Sequence, residues 1–277
     1  MPVYSYSRLN TFEQCQLKFK YRYIDKIIPD IEKSIEAFLG EIVHSTLEWL
    51  YNKIKDGRTP SIEEVINHYA KEWGENHKQD MVINKKELTS QDFFDKGVKF
   101  IIDYYMRNQP FDDNTIAIEK EIFIELDELG KYKIKGFIDR LSYNLKTEEY
   151  EIHDYKTANN LPKKEKIDED RQLALYSIAI KEMFGEDKKI CLVWHFLAHD
   201  KRICSRRTNE QLQKLKKEII NLIREIEQTE DFSPNKSILC NWCEYRTICS
   251  AWTGKPVEKQ KDLNNFHVKE EISEKKT

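Results

Sequence analysis

Two carboxylates and one lysine have the residue types and the spacing for phosphodiester chemistry. Asp154 and Lys156 are two residues apart in an alternating segment, so in a β-strand both side chains point to the same face. A turn centred near residues 146–147 would place Asp139 almost opposite His153, one step from Asp154. Paired carboxylates on rigid strands suit Mg²⁺, and a neighbouring ammonium can orient water and offset the charge of a phosphate.

Two further pairs of residues have helical spacing. Gly40 and His44 are four residues apart on one predicted helix, and Gln172 and Tyr176 are four apart on the first helix after the strand of Lys156. Each feature has a plainer interpretation. The carboxylate–lysine pattern alone is more often a solvent-facing strand edge, a helical histidine is more often a core or surface residue, and the second pair resembles an ordinary amphipathic surface. The combination favours a site.

Periodicity predicts the elements that must position these residues. Before Pro110 the chain is predicted to be almost entirely helical, and after it alternating segments predict a three-stranded meander. The predicted helices of the first part span residues 7–24, 34–56, 62–76 and 90–107. The predicted meander spans residues 115–126, 131–141 and 149–157. A mobile loop is expected at 158–170, followed by a helix at 170–184, strands at 190–198 and 201–208, and an amphipathic helix at 209–228.

Composition fits one large domain with a real core, or a core with an appended module. The 277 residues are 39% hydrophobic, which is enough for a sizeable core, and only 8 are glycine, which favours long helices over a turn-rich all-β fold. We expect a single domain over residues 1–254. Its predicted parts are a mostly helical 1–110, a sheet core with the catalytic hairpin at 111–208, and a long helix with a cysteine segment at 209–254. The charged tail 255–277 is expected to be disordered.

Charge and hydropathy restrict the partners. The net charge of −3 provides no general attraction to nucleic acid, so any contact with phosphates must come from local basic clusters. No apolar run approaches the roughly 18 residues of a membrane span, and we expect a cytoplasmic protein without a membrane partner. Each basic cluster taken alone is more often a solvated surface than a DNA contact. The clusters are Lys131, Lys133 and Lys135; Lys163, Lys164 and Lys166; and Lys201, Arg202, Arg206 and Arg207.

Three of the six cysteines lie within ten residues of one another. Cys240, Cys243 and Cys249 have a spacing typical of metal ligation in a reducing compartment rather than of a disulfide framework. A tetrahedral Zn²⁺ ion or a 4Fe-4S cluster needs a fourth ligand, and the residues alone leave its identity open. The candidates are Cys15, Cys191, Cys204 and His267.

In chain order, the motifs resemble those of a known enzyme family. They are Gly40-x-x-x-His44, then Gly136-Phe137-Ile138-Asp139-Arg140, then Asp154-Tyr155-Lys156-Thr157, and then Gln172-x-x-x-Tyr176. This order resembles the RecB-like branch of the PD-(D/E)XK nuclease superfamily, over roughly residues 5–252. Ile138 stands where the name of the superfamily has proline, and Asp154 is the permitted alternative to glutamate.

The resemblance implies a fold and a set of site residues. The implied fold is α/β with a restriction-endonuclease-like core, in which helices flank a central mixed sheet and an N-terminal helical part closes over the site. The implied ligands of Mg²⁺ or Mn²⁺ are His44, Asp139, Asp154 and the backbone carbonyl of Tyr155. The implied catalytic residues are Asp139, Asp154, Lys156, Gln172 and Tyr176. Among them, Lys156 would orient water or stabilise the transition state, and the last two would hold DNA or the geometry of the site.

The cysteine pattern resembles the iron–sulfur subset of this branch, which includes AddB and the CRISPR-associated adaptation nucleases. In that subset one cysteine precedes the nuclease core and three follow it. The resemblance therefore implies a 4Fe-4S cluster, and the alternative is a zinc site with three cysteines and one histidine. The implied cluster ligands are Cys15, Cys240, Cys243 and Cys249.

The expected function is metal-dependent hydrolysis of DNA phosphodiesters. We expect an exonuclease that acts on single-stranded DNA or on ends, in DNA repair, recombination or CRISPR adaptation. The alternative is a non-catalytic iron–sulfur subunit that binds DNA or serves as a scaffold in a repair complex. The intact set of Asp139, Asp154 and Lys156 argues against it. The sequence has no helicase motif, so a helicase or another repair or adaptation subunit would be a separate partner.

Overall fold

The computed structural model describes residues 3–29, 33–78, 81–83 and 87–254, and six strands in it form one mixed sheet. The predicted disordered tail lies outside the described residues. The sheet with helices on both faces confirms the predicted fold class. The strands are β1 (Tyr4–Ser5), β2 (Asn114–Glu125), β3 (Lys133–Asn144), β4 (Glu149–Lys156), β5 (Lys189–Phe196) and β6 (Lys201–Ser205).

The strands β2 and β3 form a long antiparallel ribbon at one edge of the sheet. On its other edge, the C-terminal half of β3 pairs with β4, from Asn144 opposite Glu149 to Arg140 opposite His153. Beyond β4, the strand β5 adds in parallel and β6 follows in antiparallel order. The parallel step from β4 to β5 needs a crossover, which a helical segment provides.

The ladder between β3 and β4 ends at the predicted active site. The strand β4 continues for three residues past His153, the last residue that pairs with β3. Near its N-terminus, β3 instead pairs with β1 through Ile134 and Lys135. Among the described strands, none pairs with the intervening segment 136–139 on this edge. The two strands therefore diverge at Asp139, and we call this opening the strand fork.

Helices cover both faces of the sheet. Apolar residues of α1, α7 and α8 pack with one face, and those of α3, α4 and α5 pack with the other. None of the described helices combines the length and the apolar composition that a membrane crossing needs. The helices are α1 (Tyr6–Gln14), α2 (Gln16–Phe19), α3 (Ile35–Lys55), α4 (Ile62–Asn76), α5 (Ser90–Asn108), α6 (Lys164–Asp168), α7 (Gln172–Phe184), α8 (Asn209–Gln228) and α9 (Ser250–Thr253).

The predicted helix at 7–24 is wrong as a continuous element, because the chain breaks it at Cys15. This residue is extended, with φ −164° and ψ 110°, and separates α1 from α2. A wider π-type turn at Lys20–Ile24 then ends the segment. The break turns the thiol of Cys15 towards the C-terminal cysteine segment, where Asn235 donates its backbone N–H to Cys15 Sγ at 3.4 Å.

The predicted loop at 158–170 contains the short helix α6. Residues at and just after the end of β6 hold this helix. Ser205 Oγ donates to the Asp168 carboxylate, and Arg207 Nη2 donates to the carbonyl of Ile167 at 3.0 Å. The charged segment therefore forms a helix rather than a loop, because residues distant in the sequence hold it in place.

Candidate active site

The strand fork brings the predicted metal ligands together. Asp139 Oδ2 accepts the backbone N–H of Tyr155 at 3.1 Å, so the carboxylate replaces a ladder bond that the diverging strands lose. His44 Nδ1 lies 3.3 Å from the same carboxylate oxygen, and His44 Nε2 lies 2.7 Å from the carbonyl oxygen of Tyr155. The imidazole therefore faces an oxygen acceptor with each ring nitrogen.

A close helix–strand approach places His44 at the fork. His44 is one turn after Gly40 on α3, on the side that meets the end of β4. A Cβ atom on Gly40 would lie 3.2 Å from Thr157 Oγ1, which is tighter than an ordinary van der Waals contact. The missing side chain lets α3 approach β4 closely enough for the imidazole to reach the backbone of Tyr155.

Asp154 and Lys156 lie side by side at the end of β4. Lys156 Nζ is 2.7 Å from Asp154 Oδ2 and donates to Oδ1 at 3.0 Å. Burial raises the pKa of Asp154, the lysine lowers it, and the charge of Asp139 raises it further, with a net increase. Burial lowers the pKa of Lys156, but the neighbouring carboxylates raise it by more, so the lysine is an ammonium ion. Asp154 Oδ2 is buried and accepts no well-oriented hydrogen bond.

Glu119 joins the site although the sequence analysis did not select it. Donor atoms of His44, Glu119 and Asp139 all lie within 4.8 Å of one another. Glu119 has φ +45° in β2, in the register position that faces Asp139, and this unusual backbone directs its carboxylate to the fork. Burial raises its pKa to about 7, with further contributions from the charges of Asp139 and Glu48. A glutamate in an alternating strand has no distinguishing sequence pattern, so only the register reveals it.

Gln172 and Tyr176 lie behind the unpaired edge of β3. A Cβ atom on Gly136 would come within 2.4 Å of the Tyr176 ring, so the ring packs directly on the backbone of the strand. The Tyr176 hydroxyl accepts the backbone N–H of Phe137, which has no strand partner at the fork, and Gln172 Nε2 donates to the same hydroxyl at 3.3 Å. The pair therefore supports the strand segment that carries Asp139.

A buried polar network supports the opposite face of β4. Arg140 is completely buried, donates to the Tyr155 hydroxyl at 3.1 Å, and lies over the ring of Tyr51 at 4.0 Å. It also contacts His153 Nδ1 at 3.1 Å, and His153 in turn lies 3.0 Å from His195. Burial and the charge of Arg140 lower the pKa of both histidines well below the ordinary value, so both are neutral. The network fixes the ring of Tyr155, whose backbone N–H and carbonyl serve the site.

The structure pairs most members of the predicted basic clusters within the protein. Lys133 lies 2.7 Å from Glu125, and Lys135 pairs with Glu121 across the ribbon. The other pairs are Lys164 with Asp168, Lys166 with Glu169, Arg202 with Glu151, and Arg206 with Glu149. These internal pairs reduce the positive charge that the clusters offer to a phosphate backbone.

All four predicted cluster cysteines line one cavity of about 40 Å³ between α1 and the C-terminal segment. Ser237 donates its backbone N–H to Cys240 Sγ at 3.4 Å, which lowers the pKa of this thiol, whereas burial raises the pKa of Cys243. Cys191 and Cys204 lie elsewhere, on the neighbouring strands β5 and β6.

The spacing of the sulfur atoms distinguishes between a single ion and a larger cluster. A tetrahedral Zn²⁺ ion with Zn–S bonds of about 2.3 Å would hold its sulfur ligands roughly 3.8 Å apart. Within the described parts of the chain, no three cysteine sulfurs lie within 4.8 Å of one another. This spacing is wider than that of the sulfur ligands of a bound zinc ion.

Comparisons with known proteins agree with this geometry. A mixed sheet that carries carboxylates, a histidine and a lysine at a strand fork is the arrangement of a metal-dependent hydrolase. A family model for the PD-(D/E)XK nuclease superfamily matches residues 3–250, and the chain belongs to that superfamily. It is therefore a DNA nuclease that hydrolyses phosphodiester bonds, and members of the superfamily use divalent metal ions.

A solved structure of an exonuclease-like protein shares the fold at low sequence identity. The crystal structure of a candidate exonuclease from Eubacterium rectale aligns with a TM-score of 0.50 and 15% identity, over 95% of this chain and 94% of that chain. The crystal structure of a protein named SSO0001 aligns with a TM-score of 0.36 and 17% identity, over 78% of this chain and 97% of that one. A search of curated proteins gave no match to the chain.

Proposed function

We propose that the protein is a metal-dependent exonuclease that acts on single-stranded DNA or on DNA ends, in DNA repair, recombination or CRISPR adaptation. The single observation that carries the proposal is the convergence of His44, Asp139, Asp154 and Lys156 at the strand fork. The RecB-like order of the motifs supports the choice of single strands and ends. A helicase or another subunit of the same pathway would be a separate partner.

The donor set at the fork fits a divalent cation. Both ring nitrogens of His44 face oxygen acceptors, at 3.3 Å and 2.7 Å. Asp154 Oδ2 is buried, with Lys156 Nζ 2.7 Å away. The ligands of a cation held here would be His44, Asp139, Asp154 and the Tyr155 carbonyl, with Glu119 in addition. Three carboxylates and one imidazole suit Mg²⁺ and tolerate Mn²⁺.

The residues of the chain supply positioning and charge for hydrolysis. When bound, the metal ion lowers the pKa of a coordinated water and offsets charge on the scissile phosphate. Lys156, an ammonium beside Asp154, orients the attacking water and stabilises negative charge in the transition state. Gln172 and Tyr176 hold the unpaired segment of β3, so Asp139 keeps its position when DNA enters the fork.

We also propose that Cys15, Cys240, Cys243 and Cys249 bind a 4Fe-4S cluster with a structural role. Four cysteine ligands leave no open iron position for a substrate. The cluster would join α1 to the C-terminal segment, around the whole sheet. Its fit rests on the common cavity, on the spacing of the sulfurs and on the N–H groups that point at Cys15 and Cys240.

Cleavage of end-labelled DNA tests the proposed function. Anaerobically purified protein is incubated with labelled single strands or duplexes and with Mg²⁺ or Mn²⁺. We expect metal-dependent release of short products from single strands or ends. Lys156→Ala should slow cleavage by at least about a hundredfold while DNA binding persists, because one main electrostatic group is lost. The matched control is Lys214→Ala, on the exposed face of α8. Equal rates for the two variants would place the active site elsewhere.

A further inference from the structure

Two exposed phenylalanines lie on the outer face of the β2–β3 ribbon, next to the strand fork. Phe123 is 52% exposed and Phe137 is 48% exposed. Their chain neighbours are buried: two isoleucines flank Phe123, and a glycine and an isoleucine flank Phe137. Phe137 precedes Asp139 by two residues on β3. A pair of exposed aromatic rings beside an active site indicates a contact surface, since solvent exposure of such rings is unfavourable.

Lys135 lies between the two rings. Its ammonium is 5.7 Å from the ring centroid of Phe123 and 5.1 Å from that of Phe137. The register places Phe123 opposite Lys135 and Glu121 opposite Phe137, so the rings are diagonal neighbours across the ribbon. We call Phe123, Lys135 and Phe137 the ring platform.

The charges around the ring platform are balanced. Lys135 pairs with Glu121, and Lys133 pairs with Glu125 at 2.7 Å. A surface that follows the phosphate backbone of a duplex needs an excess of positive charge, which these pairs remove. The remaining recognition elements are the two rings.

We propose that the ring platform stacks the bases of single-stranded DNA next to the scissile phosphate. This inference rests on the proposed function. The two-residue rise from Phe137 to Asp139 is about 7 Å, so a nucleotide that neighbours a phosphate at the fork is within reach of the ring. Base stacking on aromatic side chains tolerates any sequence and needs unpaired bases. In a duplex the faces of the bases are already stacked, so the platform selects single strands.

Binding measurements in a hydrolysis-deficient background test the platform. The parent protein is Lys156→Ala, the probe is a fluorescein-labelled oligothymidylate of about 12 nucleotides, and the readout is fluorescence anisotropy in Mg²⁺. Phe137→Ala in this parent should weaken binding about tenfold, and Phe137→Trp should restore it. The matched control is Leu145→Ala, because Leu145 is 74% exposed on the turn between β3 and β4, and its binding should equal that of the parent. If Phe137→Ala melts below the assay temperature, the same measurements are made with Phe123→Ala.

A scan with abasic residues separates stacking from a structural effect. Replacing one nucleotide at a time by an abasic analogue should weaken binding to the parent at one or two positions. At those positions Phe137→Ala should add no further loss. Three results would overturn the platform. Binding to the parent could be the same at every abasic position, or Phe137→Ala could weaken binding fully even at the sensitive positions. Phe137→Ala could also weaken binding of a hairpin duplex as much as binding of the single strand. These results are distinct from failure of the proposed function, in which the protein with Lys156 intact cleaves no DNA. If that protein cleaves single strands and Phe137→Ala binds like the parent, only the platform is wrong.

Discussion

Substitution of Glu119 by glutamine removes one carboxylate from the strand fork without changing its size. The pKa of Glu119 is raised from 4.5 to about 7, mainly by burial. A carboxyl group with a raised pKa favours the folded state fully below about pH 4.5, and this contribution is lost as the pH rises to about 7. The full shift corresponds to about 3.4 kcal/mol, of which solvent screening of the partly exposed carboxyl group leaves about 1 kcal/mol.

We therefore expect opposite effects of Glu119→Gln without and with metal. In EDTA at pH 8, the variant should be more stable than the wild type by about 1 kcal/mol in urea denaturation, and the difference should shrink towards pH 5. In Mn²⁺ the order should reverse, because the wild type gains binding energy that the variant loses. Titration calorimetry should show Mn²⁺ affinity at pH 8 at least about tenfold weaker in the variant.

The pH dependence of Mn²⁺ binding gives the sharpest test. Below pH 7 the ion must displace a proton from Glu119, so wild-type affinity should fall by up to about tenfold per pH unit from this group alone, and the variant should lose this component. The control is Glu125→Gln, which removes an exposed carboxylate from the same strand. Equal Mn²⁺ affinities and equal pH profiles for the wild type and Glu119→Gln would refute the assignment of Glu119 to the metal site.

Two further predictions concern packing and the cysteine cavity. Gly136→Ala should lower stability by about 1–3 kcal/mol and slow cleavage, because the new methyl group meets the Tyr176 ring. Thermal denaturation and cleavage rates measure both effects, and unchanged values would show that the ring moves away freely. Cys15→Ala should lose the broad visible absorbance of an iron–sulfur cluster and should melt at a lower temperature. The loss in the free energy of unfolding should be at most about 5 kcal/mol. The Cys191→Ala variant, which serves as the control, should keep the colour of the cluster. If the Cys15→Ala variant retains its iron, the ligand assignment is wrong.

Periodicity in the sequence was sufficient to predict the main elements, because their stability comes from regular burial. The apolar stripe of α8, for example, is buried as predicted at Leu212, Ile219 and Ile226. The break at Cys15 could not be predicted in the same way. Its neighbours continue a helical pattern, and the extended conformation depends on contacts with residues more than 200 positions away.

The site residues also divide into those that the sequence pattern predicts and those that depend on distant contacts. Asp154 and Lys156 are recognisable because two-residue spacing on a strand has a direct geometric meaning, and Asp139 is recognisable because a predicted turn places it near Asp154. Glu119 is not recognisable, because its role depends on the register of β2 against β3 and on a positive φ angle. The two-residue strand β1 was missed for a related reason, since so short a segment has no period of its own.

The common cavity of Cys15 and the C-terminal cysteines has a consequence for synthesis of the protein. About 225 residues separate Cys15 from Cys240, and at 5–20 residues per second the ribosome needs roughly 10–45 s to make them. During this interval α1 and its thiol have emerged, but the other wall of the cavity does not exist. The strands of the fork leave the ribosome before Cys240, so the nuclease sheet can form while the cavity is still open. The iron of the proposed cluster would therefore enter only after the last cysteine is made, into a chain whose catalytic sheet can already be folded.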